Sequence, residues 1–388
     1  MTATLAPSTT KIDTLFLSEQ DMIAAGVKKM SACIDAMEDV FRCLGKGDFR
    51  MGGQNGASHG AMVTFPDDPE HEGMPVNGPD RRFMAMPAYL GGRFNATGMK
   101  WYGSNIENKH SGLPRSIHLF VLNDTVTGAP LAMLSANLLS AYRTGAVPGV
   151  GARIYADPDS EVAGIVGPGV MGRTTLASFA AACPKLHTVK IKGRSERGIQ
   201  EFKDWVGREV PQITTIEVVD TLEHAVRGSD LVTITTSAED GAENYPMLEP
   251  EWLKPGAFVA LPASTNMPGD YLASGKVQLI VDYRGLYEAW LEEYAPNAFD
   301  AVGIIGNKFL EMQRDGKLAP GAVLDIADVL IAQDEGKVVG KRSPEDITIM
   351  SVGGMPVEDV AWAYECYHNA VANGIGTSLN LWEEPELA

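Results

Sequence analysis

A chain of 388 residues with 45% hydrophobic residues is long enough for two buried cores rather than one. Its net charge of −18 opposes non-specific binding to nucleic acid or to an anionic membrane surface, and no apolar run approaches the roughly 18 residues that span a bilayer. The four cysteines, Cys33, Cys43, Cys183 and Cys366, form no C-x-x-C pair and stand at no zinc-ligand spacing, so reduced thiols, no metal site and a cytoplasmic location are expected.

Residues 1–10 are small, polar and Pro-containing, with no signal pattern, and are expected to fray. Residues 18–46 carry helical spacing through Met22, Met30, Ile34, Met37, Val40, Phe41 and Leu44. From 50 to 82 the chain is rich in Gly, Pro, Asn and Asp, which predicts a long irregular loop that is either functional or disordered. Four strand-like runs follow: RFMAMPAYL, ATGMKWYGS, SIHLFVLND and PLAMLSA. The NDTVTGAP between the last two predicts a hairpin. SANLLSAYRTGAVPGVGARIYA reads as a helix leading onward.

From 161 the runs VAGIVG, TVKIKG, TIEVVD, DLVTITT, AFVALPA and VQLIVD alternate with helical stretches, which predicts a parallel sheet covered on both faces. Near 335 the alternation stops, and the tail reads as a strand, a glycine turn and a long helix. The expected fold class is α/β. A central Rossmann-type doubly wound domain over 156–335 is inserted into a discontinuous α+β domain made of 1–155 and 336–388.

Gly167, Gly169 and Gly172 form G-x-G-x-x-G between a strand and a helix. The first glycine permits the tight turn, the second lets backbone approach a pyrophosphate, and the third lets helix and strand pack closely. Val170 and Met171 within the motif, Thr236 at the end of DLVTITT and Ser237 after it, and Gly353 of the later glycine turn complete the expected cofactor-binding set. An NAD site usually places an acid at the end of the next strand. Here Gly193 stands there, with Lys192 before it and Arg194, Ser195 and Arg197 after it. A cationic, hydrogen-bonding cluster without a carboxylate favours NADP(H); with Arg194 lying flat over an adenine, NAD(H) is the alternative.

Lys100 stands in an apolar strand, where a desolvated amine has a lowered pKa and can give or take a proton near neutrality; a lysine snorkelling from a strand edge is the structural alternative. Arg143 opens a small-residue stretch suited to bidentate capture of a carboxylate; its alternative is an interdomain salt bridge.

Taken in order, MPAYLGG…GMKWYGS, GLPRSIHLFVLNDTVTGAPLAML, AYRTGAV, GIVGPGVMG and ITIMSVGGMPVEDVAWA resemble the ornithine cyclodeaminase/mu-crystallin family, from about residue 17 to 380. The resemblance implies a homodimer in which the discontinuous outer domain supplies the dimer contact and the substrate pocket. It implies that Lys100 is the active-site lysine, that Arg143 binds the substrate carboxylate, and that Gly353, Gly354 and Asp359 belong to the segment beside the nicotinamide. Two positions depart from the pattern. Gln54 stands where an early carboxylate-binding arginine is expected, with Arg81 or Arg82 as substitutes and His59 as an extra polar contact. Thr265, with Asn266 beside it and Asp270 displaced by five residues, stands where cyclodeaminases carry an aspartate. The expected function is an NAD(P)-dependent oxidoreductase on a C–N bond of a small amino acid, keto acid or imine, with Lys100 as proton donor or relay. The alternatives are an ornithine- or lysine-type cyclodeaminase that recycles NAD⁺ internally, and a cofactor-binding mu-crystallin-like protein without turnover.

Overall fold

The computed structural model describes residues 10–78 and 80–387, so the fraying expected of residues 1–9 lies outside the described residues. Its strands form two eight-stranded sheets. The second sheet runs Thr215–Val218, Thr188–Lys192, Val162–Val166, Leu231–Ile234, Phe258–Leu261, Ile347–Ser351, Val277–Val281, Val323–Asp325. Every neighbouring pair in it is parallel. Its central strands are buried along nearly their whole length, as apolar runs covered on both faces must be.

The first sheet runs Thr377–Trp382, Ile12–Leu17, Pro130–Ser135, Ser116–Asn123, Ala96–Ser104, Arg82–Leu90, Phe49–Met51, with Ala61–Val63 also on Arg82–Leu90. The hairpin expected at NDTVTGAP is present, Leu119 to Asn123 pairing antiparallel with Ser135 to Pro130. Here burial alternates: in Ala96–Ser104 the side chains of Ala96, Lys100, Tyr102 and Ser104 turn inward while Trp101 turns out. The helix Pro356–Asn373 covers the inner face over Arg82–Leu90 and Ala96–Ser104.

Three features differ from the sequence expectation. The apolar stretch 18–46 is two helices, Glu19–Ala24 and Met30–Gly45. The break is Gly26, whose φ of +94° a helix cannot use. Strands Ile12–Leu17 and Thr377–Trp382 extend the first sheet and pair with each other, so the two ends of the chain meet there. Ile347–Ser351 sits inside the second sheet, between Phe258–Leu261 and Val277–Val281; the parallel sheet therefore takes a strand from beyond residue 336. The reason is burial: a run as apolar as ITIMS needs ladder partners on both sides and cover on both faces. Among its described residues, the region 50–82 is irregular apart from the strand ending at Met51, the strand Ala61–Val63 and the start of Arg82–Leu90.

The helix Asn137–Tyr155 joins the two halves. It touches the strand Ser116–Asn123, the helix Met30–Gly45, and the helix Val170–Ala182 that follows the glycine motif. It does so on bare backbone. A Cβ at Gly145 would lie 2.4 Å from the Thr174 side chain, one at Gly149 2.6 Å from Ile34, and one at Gly151 2.3 Å from Met350.

Candidate active site

The inward position of Lys100 leaves its ammonium buried, only 2% of the residue being exposed. A buried cation needs partners, and three elements supply them. Asp359, from the first turn of Pro356–Asn373, places Oδ2 2.9 Å from Nζ. Ser140, from the first turn of Asn137–Tyr155, accepts a hydrogen bond from Nζ at 3.0 Å. Tyr102, two residues along the strand, sets its ring 5.8 Å from Nζ. Burial and the Arg143 charge push the Lys100 pKa down to about 8, against the pull of Asp359. Near neutral pH the group is thus an ammonium that gives up its proton readily.

Arg143 lies one helical turn beyond Ser140 and is equally buried. Its Nε donates to Asp359 Oδ1 at 2.8 Å and its Nη1 to Glu358 Oε2 at 2.6 Å. Its Nη2 bonds to none of the described residues. Asp359 therefore bridges the two cations. Burial alone would raise its carboxyl, yet Arg143 and Lys100 together hold it below its usual value. Glu358 is also fully buried and has the opposite fate: burial pushes it up to about 7, only partly offset by Arg143.

The glycine turn after Ile347–Ser351 closes the cluster. Asp282, fully buried at the end of Val277–Val281, accepts from the backbone N–H of Gly353 at 2.6 Å and of Gly354 at 3.1 Å. The Tyr287 hydroxyl donates to its other oxygen at 2.7 Å. Burial raises the Asp282 carboxyl and these donors oppose the rise. Gly354 has a φ of +76°, and a Cβ there would stand 2.7 Å from Arg143 Nη1, so this position has room only for glycine. The Gly354 carbonyl accepts from His59 Nδ1 at 2.9 Å. That bond fixes the proton on Nδ1, and burial with the nearby Lys100 and Arg143 charges lowers the imidazole to about 4. His59 is therefore a neutral, ordered member of the site.

At the dinucleotide motif each glycine answers to its surroundings. Gly167 has a φ of +105°, and a Cβ on Gly172 would sit 2.1 Å from the Gly167 carbonyl oxygen. A Cβ on Gly169 would meet nothing within 4 Å, so that side of the turn is open. No side chain caps the helix Val170–Ala182, which leaves its first N–H groups and its positive end for an anion. The Thr236 hydroxyl is buried without a partner among the described residues; Val170 and Ser237 are exposed and Met171 half-buried. This is an arrangement that fits a dinucleotide. At the strand end, a Cβ on Gly193 would meet Ile199 at 2.7 Å and Pro168 at 3.1 Å, so packing itself excludes an acid there. Arg194 is exposed. Ser195 caps the helix Glu196–Glu209 through Gly198 N–H at 3.2 Å, and Arg197 pairs with Glu201 at 2.8 Å.

Lys100, Arg143, Asp359, Gly353, Gly354 and His59 thus converge. Three named candidates do not join them. Arg82 pairs with Asp80 and reaches Tyr102 rather than Lys100 or Arg143, and its strand register lies four residues from the Met86 that faces Lys100, about 13 Å along the sheet. Gln54 is exposed and lines a cavity of about 700 Å³ with Ser58, Gly60, Met62, Pro87 and Glu293, whose lining includes neither Lys100 nor Arg143. Thr265 is buried, and its hydroxyl donates to the Ala263 carbonyl at 3.3 Å within its own loop. Sequence reasoning missed Ser140, Asp282, Tyr287 and Glu358. Glu358 alone carried a signal, as an acid on the apolar side of a helix.

The model of the ornithine cyclodeaminase/mu-crystallin family matches residues 26–374. Among curated proteins, N-((2S)-2-amino-2-carboxyethyl)-L-glutamate dehydrogenase of Staphylococcus aureus is 24% identical over 370 residues, covering 95% of this chain and 98% of that protein. Alanine dehydrogenase of Archaeoglobus fulgidus is 28% identical over 302 residues, covering 77% and 83%. Among solved structures, Thermococcus litoralis Δ1-pyrroline-2-carboxylate reductase in complex with NADH and L-proline superposes with a TM-score of 0.75 at 22% identity. That match covers 94% of this chain and all of that one, and the likeness carries the fold.

Proposed function

Because the chain belongs to the ornithine cyclodeaminase/mu-crystallin family, we propose that it is an NAD(P)-dependent oxidoreductase acting on a carbon–nitrogen bond of a small amino acid or imine. The observation that carries this reading is the buried Lys100 ammonium, held by Asp359 and Ser140 and lowered to about 8. Imine reduction needs a proton on nitrogen, and an ammonium that is dry, oriented and easily deprotonated can supply it. Asp359 keeps Lys100 charged and in place; Ser140 offers a hydroxyl through which the proton can be replaced. Arg143 anchors the substrate carboxylate through its remaining donor, Nη2. Gly167, Gly169, Val170, Met171 and Gly172 would hold the pyrophosphate, with Thr236, Ser237 and Gly353 completing the cradle. A nicotinamide cofactor bound there supplies or accepts the hydride. Arg194 and Ser195, with no acid at residue 193, favour NADP(H) over NAD(H). The homodimer forms through the outer face of the first sheet, where Phe83, Trp101 and Ile117 stand exposed. The S. aureus and A. fulgidus relatives, both named as dehydrogenases, support the reaction class.

Thr265 speaks against cyclodeamination, because a hydroxyl committed to its own loop does not accept a proton from an ammonium at neutral pH. The test is to incubate the protein with amino acids and NADP⁺ and to follow reduced cofactor and ammonia together. Accumulating reduced cofactor supports the dehydrogenase. Ammonia without net cofactor reduction would establish the cyclodeaminase, and no ammonia and no cofactor turnover, either with NADP⁺ and amino acids or with NADPH and cyclic imines or keto-acid/amine mixtures, would leave a binding protein.

A further inference from the structure

The charges around Arg143 do not balance for an anionic ligand. Two cations, Lys100 and Arg143, already face two carboxylates, Glu358 and Asp359, and all four groups are buried. A substrate carboxylate at Arg143 Nη2 becomes a third anion on the pair of cations. In a low dielectric that third charge is costly unless one carboxylate is neutralised.

We propose, resting on the reading of Arg143 as the carboxylate anchor, that Glu358 takes up a proton from solvent when the substrate carboxylate binds. Glu358 is then the positioning residue that sets how tightly carboxylates are held as pH changes. Geometry singles it out. Asp359 has a cation on each oxygen, Arg143 on Oδ1 and Lys100 on Oδ2. Among the described residues Glu358 has a cation on Oε2 only, and its Oε1 is buried with no partner. A proton on Oε1 leaves Oε2 free to go on accepting from Nη1, so Arg143 keeps its orientation.

Other titratable groups face Glu358 from the elements packed around it. Asp282, from the end of Val277–Val281, adds to the burial that brings Glu358 to about 7. Cys33, from Met30–Gly45, and Tyr287, from Arg284–Glu293, are both raised well above their ordinary values and stay neutral. Lys100, from Ala96–Ser104, stays charged until about 8. His59 is neutral above about 4.

Calorimetry in two buffers of different ionisation enthalpy tests the coupling. L-Proline and L-alanine are titrated into NADPH-loaded protein and pyruvate into NADP⁺-loaded protein, pairings that cannot exchange hydride. Wild-type protein at about pH 7.5 is expected to take up more than about half a proton per pyruvate bound, the one of the three ligands that brings no ammonium of its own, and its pyruvate affinity to fall about threefold between pH 6.5 and 7.5. Glu358→Gln, which keeps the bond to Nη1, is expected to abolish the uptake and flatten that pH dependence. Uptake that persists in Glu358→Gln, or is absent in wild type, would overturn the proposal. Should the variant not fold, the wild-type uptake alone decides. Binding undiminished in Arg143→Gln, or no binding of any of the three carboxylates to wild type, would overturn the Arg143 reading itself.

Discussion

Lys100 was legible because it breaks a pattern. Alternation in ATGMKWYGS puts Lys100 on the same face as Ala96 and Tyr102, and a cation at an inward position needs a reason. Its partners were less legible, since Asp359 and Ser140 reach it only through folding. Lys100→Ala is expected to leave dinucleotide affinity near wild type, by fluorescence titration, while turnover falls at least about 10²-fold. The pH profile carries the sign. Below about 8 the ammonium is present and the reductive reaction has its proton donor; above it that donor is lost. Reductive kcat should therefore fall as pH rises through about 8, and oxidative kcat should rise through the same range. A flat profile in both directions would remove Lys100 from proton transfer. Asp282 shows the opposite case: nothing in VQLIVD distinguishes a capping acid from a strand end, and its two amide donors come from 71 and 72 residues away.

Elements with their own local chemistry were read well, and those that depend on distant pairing were not. The strand–glycine turn–helix over Val162–Ala182 is self-announcing, because its glycines stand close in sequence and Gly172 packs directly on the Gly167 carbonyl and Ile165. Ile12–Leu17 and Thr377–Trp382 were missed because such short strands gain meaning only from distant partners, each other and Pro130–Ser135. Two predictions belong at this level. Asp282→Ala strips the Gly353–Gly354 turn of its acceptor and leaves buried N–H groups unpaired, so stability should drop by about 3 kcal/mol by urea denaturation. Loss of dinucleotide binding in the variant that still folds would tie the turn to the cofactor. Arg194→Ala should weaken NADP(H) at least about tenfold more than NAD(H); equal weakening of the two would mean that Arg194 meets no 2′-phosphate. The reverse design, an acid at residue 193, is blocked by Ile199 and Pro168.

At the scale of the molecule, alternation in the first sheet divides labour between its faces. One face buries Lys100; the other shows Trp101 stacked on Phe83 at 5.9 Å, with Phe65 against Phe83 at 6.3 Å and Ile117 half exposed. These residues line an apolar hollow of about 880 Å³, a surface of the sort that marks a protein contact. Sedimentation velocity is expected to give twice the chain mass for wild type and a single chain mass for Trp101→Glu combined with Ile117→Arg. A wild-type monomer would refute the proposed dimer.

The bare-glycine contact between the helices Asn137–Tyr155 and Val170–Ala182 bears on how such a protein can be inherited and recombined. Cut at residue 156, a chimera would pair Gly145 with whatever another parent carries in place of Thr174, at a spacing that does not admit one methyl group. The crossover point most inviting on paper is therefore the one most prone to fail. Exchange between relatives should succeed instead where both helices travel as a single inherited block.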